Sequence, residues 1–165
     1  MSTRLDLENP FWAFSCAVYA LPGVQAACLD LQDRHGADVN LLLFAAWVGA
    51  VLRHGLMSAD LATAPGGDWH GQVIVPLRAL RRHVKAAMAA QAGLEGVYQQ
   101  AKQCELSAEQ VRQALLFQWA EARFQGRGGR STALANLLAV MGREPSARQE
   151  LQLLADAAQR TAAGT

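Results

Sequence analysis

The sequence predicts an all-α fold: a single array of about seven or eight helices around one buried central helix, at about residues 39–54. Three observations carry this. Alanine is the commonest residue, with 32 copies against five prolines, and alanine has the strongest intrinsic preference for helix. Apolar residues recur at helical spacing along most of the chain. Asn, Asp, Ser, Pro and Gly stand where helices should start and stop. The one β-branched cluster, Val73-Ile74-Val75, is too short and isolated to argue for a sheet.

Residues 1–8 read as a loose lead-in. Asn9-Pro10 is a helix start, with Asn as N-cap and Pro at the first helical position. The first helix runs to about Leu21 and carries Phe11, Trp12, Phe14, Val18 and Tyr19 on most sides, so it should be largely buried. Pro22-Gly23 breaks the chain. A second helix follows at about Val24–His35, with Val24, Ala27, Cys28 and Leu31 forming an apolar stripe and Gly36 suited to its end. Asp38 caps the third and central helix, about Val39–His54, closed by Gly55. Phe44 and Trp47 within it are three apart and should pack together.

Ser58 opens a short helix to about Ala64. Residues 65–75 read as a loop, with Pro65-Gly66-Gly67-Asp68 its clearest part. Pro76 starts a fourth helix, about Leu77–Ala92. Gly93 separates it from a fifth, about Leu94–Cys104. Ser107-Ala-Glu-Gln110 has the form of a capping box and opens a sixth helix to about Phe124. Residues 126–130 (GRGGR) form a loop. Ser131 or Thr132 starts a seventh helix, to about Met141. A second capping-box match, Ser146-Ala-Arg-Gln149, opens a last helix to about Ala162, and residues 163–165 fray.

Length and composition set the bounds. At 165 residues, with 52% hydrophobic and 18% charged side chains, the chain can bury one core and reads as one domain over 1–165. A net charge of +1 gives no overall pull toward nucleic acid or an anionic membrane. Cys16, Cys28 and Cys104 are odd in number and lack C-x-x-C spacing, which disfavours a disulfide framework and fits a reducing compartment. The N-terminus lacks the pattern of a secretory signal. The longest apolar run, Leu41–Leu52, has twelve residues, short of the ~20 needed to span a bilayer. These features together predict a soluble, cytoplasmic protein.

The stretch Cys28-Leu-Asp-Leu-Gln-Asp-Arg-His-Gly-Ala-Asp-Val-Asn-Leu-Leu-Leu-Phe-Ala-Ala-Trp47 resembles the signature of a small proteobacterial family of conserved hypothetical proteins that carry a domain of unknown function. Asn9-Pro10-Phe11-Trp12, Trp69 and Pro76-Leu77-Arg78 resemble it too. The likeness covers about the first two-thirds of the chain. It implies a cytoplasmic helical protein of about this size and brings no activity with it.

Two groups of residues are candidate sites. Asp30, Asp33, Asp38 and Asn40 surround the Gly36 turn. Asp30 and Asp33 share a helix face, and a hairpin fold-back would bring four oxygen-bearing side chains together. Oxygen ligands suit Mg²⁺, which often bridges to phosphate. The structural alternative is plain helix capping. Arg78, Arg81, Arg82 and Lys85 form a basic stripe on the fourth helix, able to bind phosphates or an acidic protein surface. The alternative is a solvated face or a partner for the Asp33 region. Trp69, in the Gly/Pro loop, is either an exposed anchor for a partner or a lid folded over the core.

Other signals are weaker. The Gly126–Ser131 loop, with Arg127 and Arg130, lacks the P-loop pattern. His35, His54, His70 and His83 lack zinc spacing, and no nucleophile elbow occurs. The leading expectation is therefore a protein-interaction or regulatory module, binding a protein partner or a second copy of itself, without a cofactor. The alternatives are a Mg-dependent phosphate or diphosphate protein using Asp30, Asp33 and Asp38 with Arg78, Arg81 and Arg82, and a nucleic-acid binder using the basic helix. Geometry discriminates: convergence of acidic turn and basic stripe on one pocket favours the ligand-binding reading, and direct salt bridges favour the interaction module.

Overall fold

The local start and stop signals act largely as read. The computed structural model describes residues 4–126, 128–129, 132–142 and 144–164. Helix α1 (Pro10–Tyr19) begins on Asn9, whose side chain accepts from Trp12 N. Helix α2 (Val24–His35) ends on Gly36 in the left-handed region, where a Cβ would be strained. Helix α3 (Val39–Trp47) begins on Asp38, which accepts from Asn40 N and Leu41 N.

From Leu42 to Val48 every α3-side residue is buried. This helix lies at the centre, against α1, α8 (Ala133–Met141), α9 (Arg148–Ala163) and the C-terminal half of α7 (Glu95–Arg123). The apolar run is thus a core helix. Phe44 and Trp47 do pack together, with ring centroids 6.1 Å apart. Phe11, Trp119 and Phe117 extend the aromatic cluster. Its tilted and edge-on pairs are the arrangements that ring quadrupoles favour.

The central helix widens into a π-turn, Val48–Leu52, and stops on Arg53 rather than at Gly55. Asn136 on α8 explains the widening. Its amide donates to Ala45 O and to His54 O, while its oxygen accepts from Leu56 N. A side chain inserted into the backbone ladder is a recognised cause of such distortion. Gly49 lets α8 approach: a Cβ there would stand 2.7 Å from the backbone of Thr132 and Ala133.

The short helix α4 (Ser58–Thr63) is held by Asp60, whose carboxylate accepts from Met57 N and from Arg123. Residues 65–75, expected as a loop, are helical from Gly67. Helix α5 (Gly67–Trp69), a π-turn (His70–Ile74) and α6 (Val75–Ala87) follow one another without a break. Proline explains the wide turn. Pro76 has no N–H to donate, and its ring would strike the carbonyl one turn back in a regular helix. A π-turn at that point relieves both problems.

The expected fifth and sixth helices are one, α7, of 29 residues and about 43 Å. Ser107 lies inside it, so the capping-box pattern there is not used. Between Val97 and Gln125 the sequence has neither Gly nor Pro, so nothing stops the helix. Thr132 caps α8 as expected. The second capping-box pattern is also unused: a 3-10 turn, Pro145–Ala147, leads into α9, and Ser146 donates to Glu144. Arg127, Arg130 and Ser131 lie outside the described residues. No strand occurs among the described residues, and none of their helices is by itself long and apolar enough to cross a membrane.

Candidate functional site

Helix α6 runs alongside the N-terminal half of α7, and charged side chains hold the two together. Arg78 Nε donates to Glu105 at 2.9 Å and its Nη2 to Glu109 at 2.8 Å. Arg81 also pairs with Glu105. Arg82 reaches across to α2 and meets Asp33 at 2.5 Å. The three arginines of the basic stripe thus have internal partners, and Lys85 is exposed. Burial raises the Glu105 carboxyl, but Arg81 and Arg78 outweigh it and hold that carboxyl below the ordinary range. For Glu109 burial prevails over Arg78, and its carboxyl is pushed up.

The acidic turn divides among separate partners. Asp30 pairs with Arg34 one turn along its own helix, at 3.0 Å. Asp33 pairs with Arg82, which together with Gln32 keeps its carboxyl low. Asp38 caps α3. Asn40 is buried and accepts from Gln113 at 2.9 Å. The structure thus brings Asp33 to Arg82, but not Asp30, Asp33 and Asp38 to one point. Among the described residues no group of three or more His, Cys, Asp or Glu side chains is placed to hold one metal ion. An open groove of about 660 Å³ lies elsewhere, lined by Pro22, Pro145, Arg148, Leu153, Asp156 and Arg160 among others.

Trp69 is half-buried, and its indole N–H donates to Ala108 O at 2.9 Å. It pins the start of the α5–α6 segment onto α7. Beside it is a second polar cluster. His70 Nδ1 stands 3.5 Å from Asp38 Oδ1, and Arg112 Nη2 stands 3.3 Å from Asp38 Oδ2. Burial lowers the His70 pKa; Arg78 and Arg112 lower it further, and Asp38 opposes them.

Sequence reasoning missed Glu105, Glu109, Arg112, His70 and Gln113 as site residues. The signal was present. Glu105, Glu109 and Arg112 fall at i, i+4 and i+7 of one helix, facing a basic helix with matching spacing. Ending the fifth helix at about Cys104 and opening the sixth at Ser107 left Glu105 between the two and hid the pattern.

No curated protein and no solved structure matches the chain. One family model does, over residues 10–116, described as a protein of unknown function (DUF2390). The match contains every ion pair of the hairpin and the whole Asp38–His70–Arg112 cluster. The chain, a small helical protein, therefore belongs to the DUF2390 family of proteins of unknown function.

Proposed function

We propose that this protein is a cytoplasmic protein-interaction module whose docking element is the hairpin of α6 and the N-terminal half of α7, and that the hairpin pairs with a second copy of the chain. One observation carries the reading: α6 is amphipathic and packs on α7 through the charged side chains of Arg78 and Arg81, while part of its apolar side faces out. Its only two buried residues are Arg78 and Val84, while Leu80 on its apolar stripe is 51% exposed and Val97 on α7 is 50% exposed. Exposed apolar side chains on both helices of one hairpin offer an interaction surface.

A second copy suits this surface. Two antiparallel helices bury one seam, and two such pairs related by a two-fold axis make a four-helix bundle. The near-neutral chain raises little electrostatic barrier to self-association. The hairpin is short, about 20 Å along α6, so the interface falls at the small end of specific contacts and the dimer should be weak.

Sedimentation equilibrium over a range of protein concentrations tests this. The expected result is a weight-average mass rising from 17.7 kDa toward twice that value, and staying at the monomer value in a Leu80→Glu, Val97→Glu variant with unchanged helicity. A wild-type mass that stays at the monomer value to hundreds of micromolar would overturn the reading. So would a dimer that the double variant leaves intact.

A further inference from the structure

The hairpin ion pairs are satisfied, but the cluster around Asp38 has donors left over. The Arg112 side chain is 3% exposed, and beyond its contact with Asp38 its Nε and Nη1 have no hydrogen-bond partner. His70 Nδ1, also buried, makes no hydrogen bond, with Asp38 Oδ1 3.5 Å away. Both side chains share one carboxylate, Asp38, whose Oδ1 already accepts two backbone N–H groups at the start of α3. The α3 N-terminus adds the positive end of its helix dipole. Buried guanidinium donors without acceptors are rare in folded proteins and point to an additional acceptor.

The surroundings are built for close approach. Gly66, at φ +78°, lays its backbone over the guanidinium: a Cβ there would stand 2.7 Å from Arg112 Nη1. His70 belongs to a π-turn, a distortion that recurs at functional sites. The His70 and Asp38 side chains are only partly enclosed, whereas the Arg112 side chain that shares Asp38 with His70 is 3% exposed.

We propose that this cluster binds a small oxyanion, the carboxylate or phosphate group of a ligand, held by Arg112 and His70 at the N-terminus of α3. The charge balance gives the binding a signature. With His70 neutral, Arg112 and Asp38 offset each other. An incoming anion is offset when His70 takes up a proton. The groups facing His70 are Asp38 from the α2–α3 junction, Arg112 from α7 and Arg78 from α6, the last held by Glu105 and Glu109. The anion adds to the side of Asp38 and against the two arginines. Binding is therefore coupled to protonation, and affinity rises as pH falls toward the unperturbed histidine range.

The test uses acetate and sulfate, neither of which titrates between pH 6 and 8, with inorganic phosphate as a third probe. Each is titrated into the full chain while the ring resonances of His70 and the thermal midpoint are followed, at about pH 6 and about pH 7.5. The expected result is saturable movement of the His70 resonances, with a dissociation constant about tenfold lower at the lower pH. The midpoint shift should disappear in His70→Asn and in Arg112→Gln. Because Arg112→Gln removes a buried group, His70→Asn is the variant that decides if the other does not fold. Saturation by acetate alone assigns a carboxylate ligand; saturation by sulfate and phosphate alone assigns a phosphate group. No saturable response to any probe at tens of millimolar would overturn the proposal, as would a response unchanged by pH and by His70→Asn.

Discussion

Replacing Glu105 by Gln should destabilise the protein far more than replacing Asp33 by Asn, although each acidic residue pairs with arginine on α6. Glu105 is 6% exposed and accepts from Arg78 and Arg81 together. Breaking a buried ion pair from one side costs about 3–5 kcal/mol, because a buried charge is left alone. Here Arg78 keeps Glu109 at 2.8 Å and Arg81 is partly wetted, so the loss should fall to about 2–3 kcal/mol. Asp33 and Arg82 are both about half exposed, where pairs contribute under about 1 kcal/mol. For a chain of this size those losses correspond to drops of roughly 4–12 °C and at most ~4 °C in thermal midpoint. Urea unfolding of the wild type and both variants would give the free energies directly. The Glu105 carboxyl is held low, so its contribution is present above its unfolded value of about 4.3 and fades as pH falls through its folded value. A Glu105→Gln loss below about 1 kcal/mol, or an equal loss for Asp33→Asn, would refute the claim that burial makes this tie strong.

Other expectations are direct. Gly49→Ala should lower stability by about 1–3 kcal/mol, since the new Cβ meets backbone atoms of α8 that cannot swing away; calorimetry would measure it. His70 has a lowered folded pKa, so the unfolded chain takes up its proton first. The wild type should therefore lose stability as pH falls below about 6.5, and subtracting the profile of His70→Asn should isolate that slope. Cys28 is buried, which pushes its thiol up to about 12, while Cys16 and Cys104 are exposed. A thiol reagent should titrate two cysteines in the folded protein and the third only on unfolding.

The parts of the fold that were legible in the sequence are those written in neighbouring residues. Asn9-Pro10, Gly36 and Asp38 each fix a helix end through groups two to four positions away, and each acts as read. The apolar run around Phe44 was legible as a buried helix because its length excludes a bilayer span. The capping-box patterns at Ser107 and Ser146 misled for the converse reason. Such a motif offers the backbone one local option, and Ser107 sits in a stretch with no Gly or Pro to stop the helix. The fate of the basic stripe was not legible, because Arg78 finds its carboxylates 27 and 31 residues away. Only the packing of α6 on α7 turns a surface motif into an internal tie. Trp69 was misplaced with its loop, since the Gly/Pro punctuation around it gave no sign that a π-turn could absorb Pro76.

Helix α7 is one uninterrupted rod with two kinds of support. Its C-terminal half is wedged among α1, α3 and the aromatic cluster, whereas its N-terminal half is braced by α6 and the segment leading into it, through three ion pairs from Arg78 and Arg81 and the Trp69 hydrogen bond. Cooperativity in a helix extends only as far as the packing that sustains it. Amide protons of a single backbone spiral should therefore exchange in two regimes, fast ahead of Ala108 and slow beyond Arg112. The hairpin can melt as a separate foldon while the rest of the same helix stays in place.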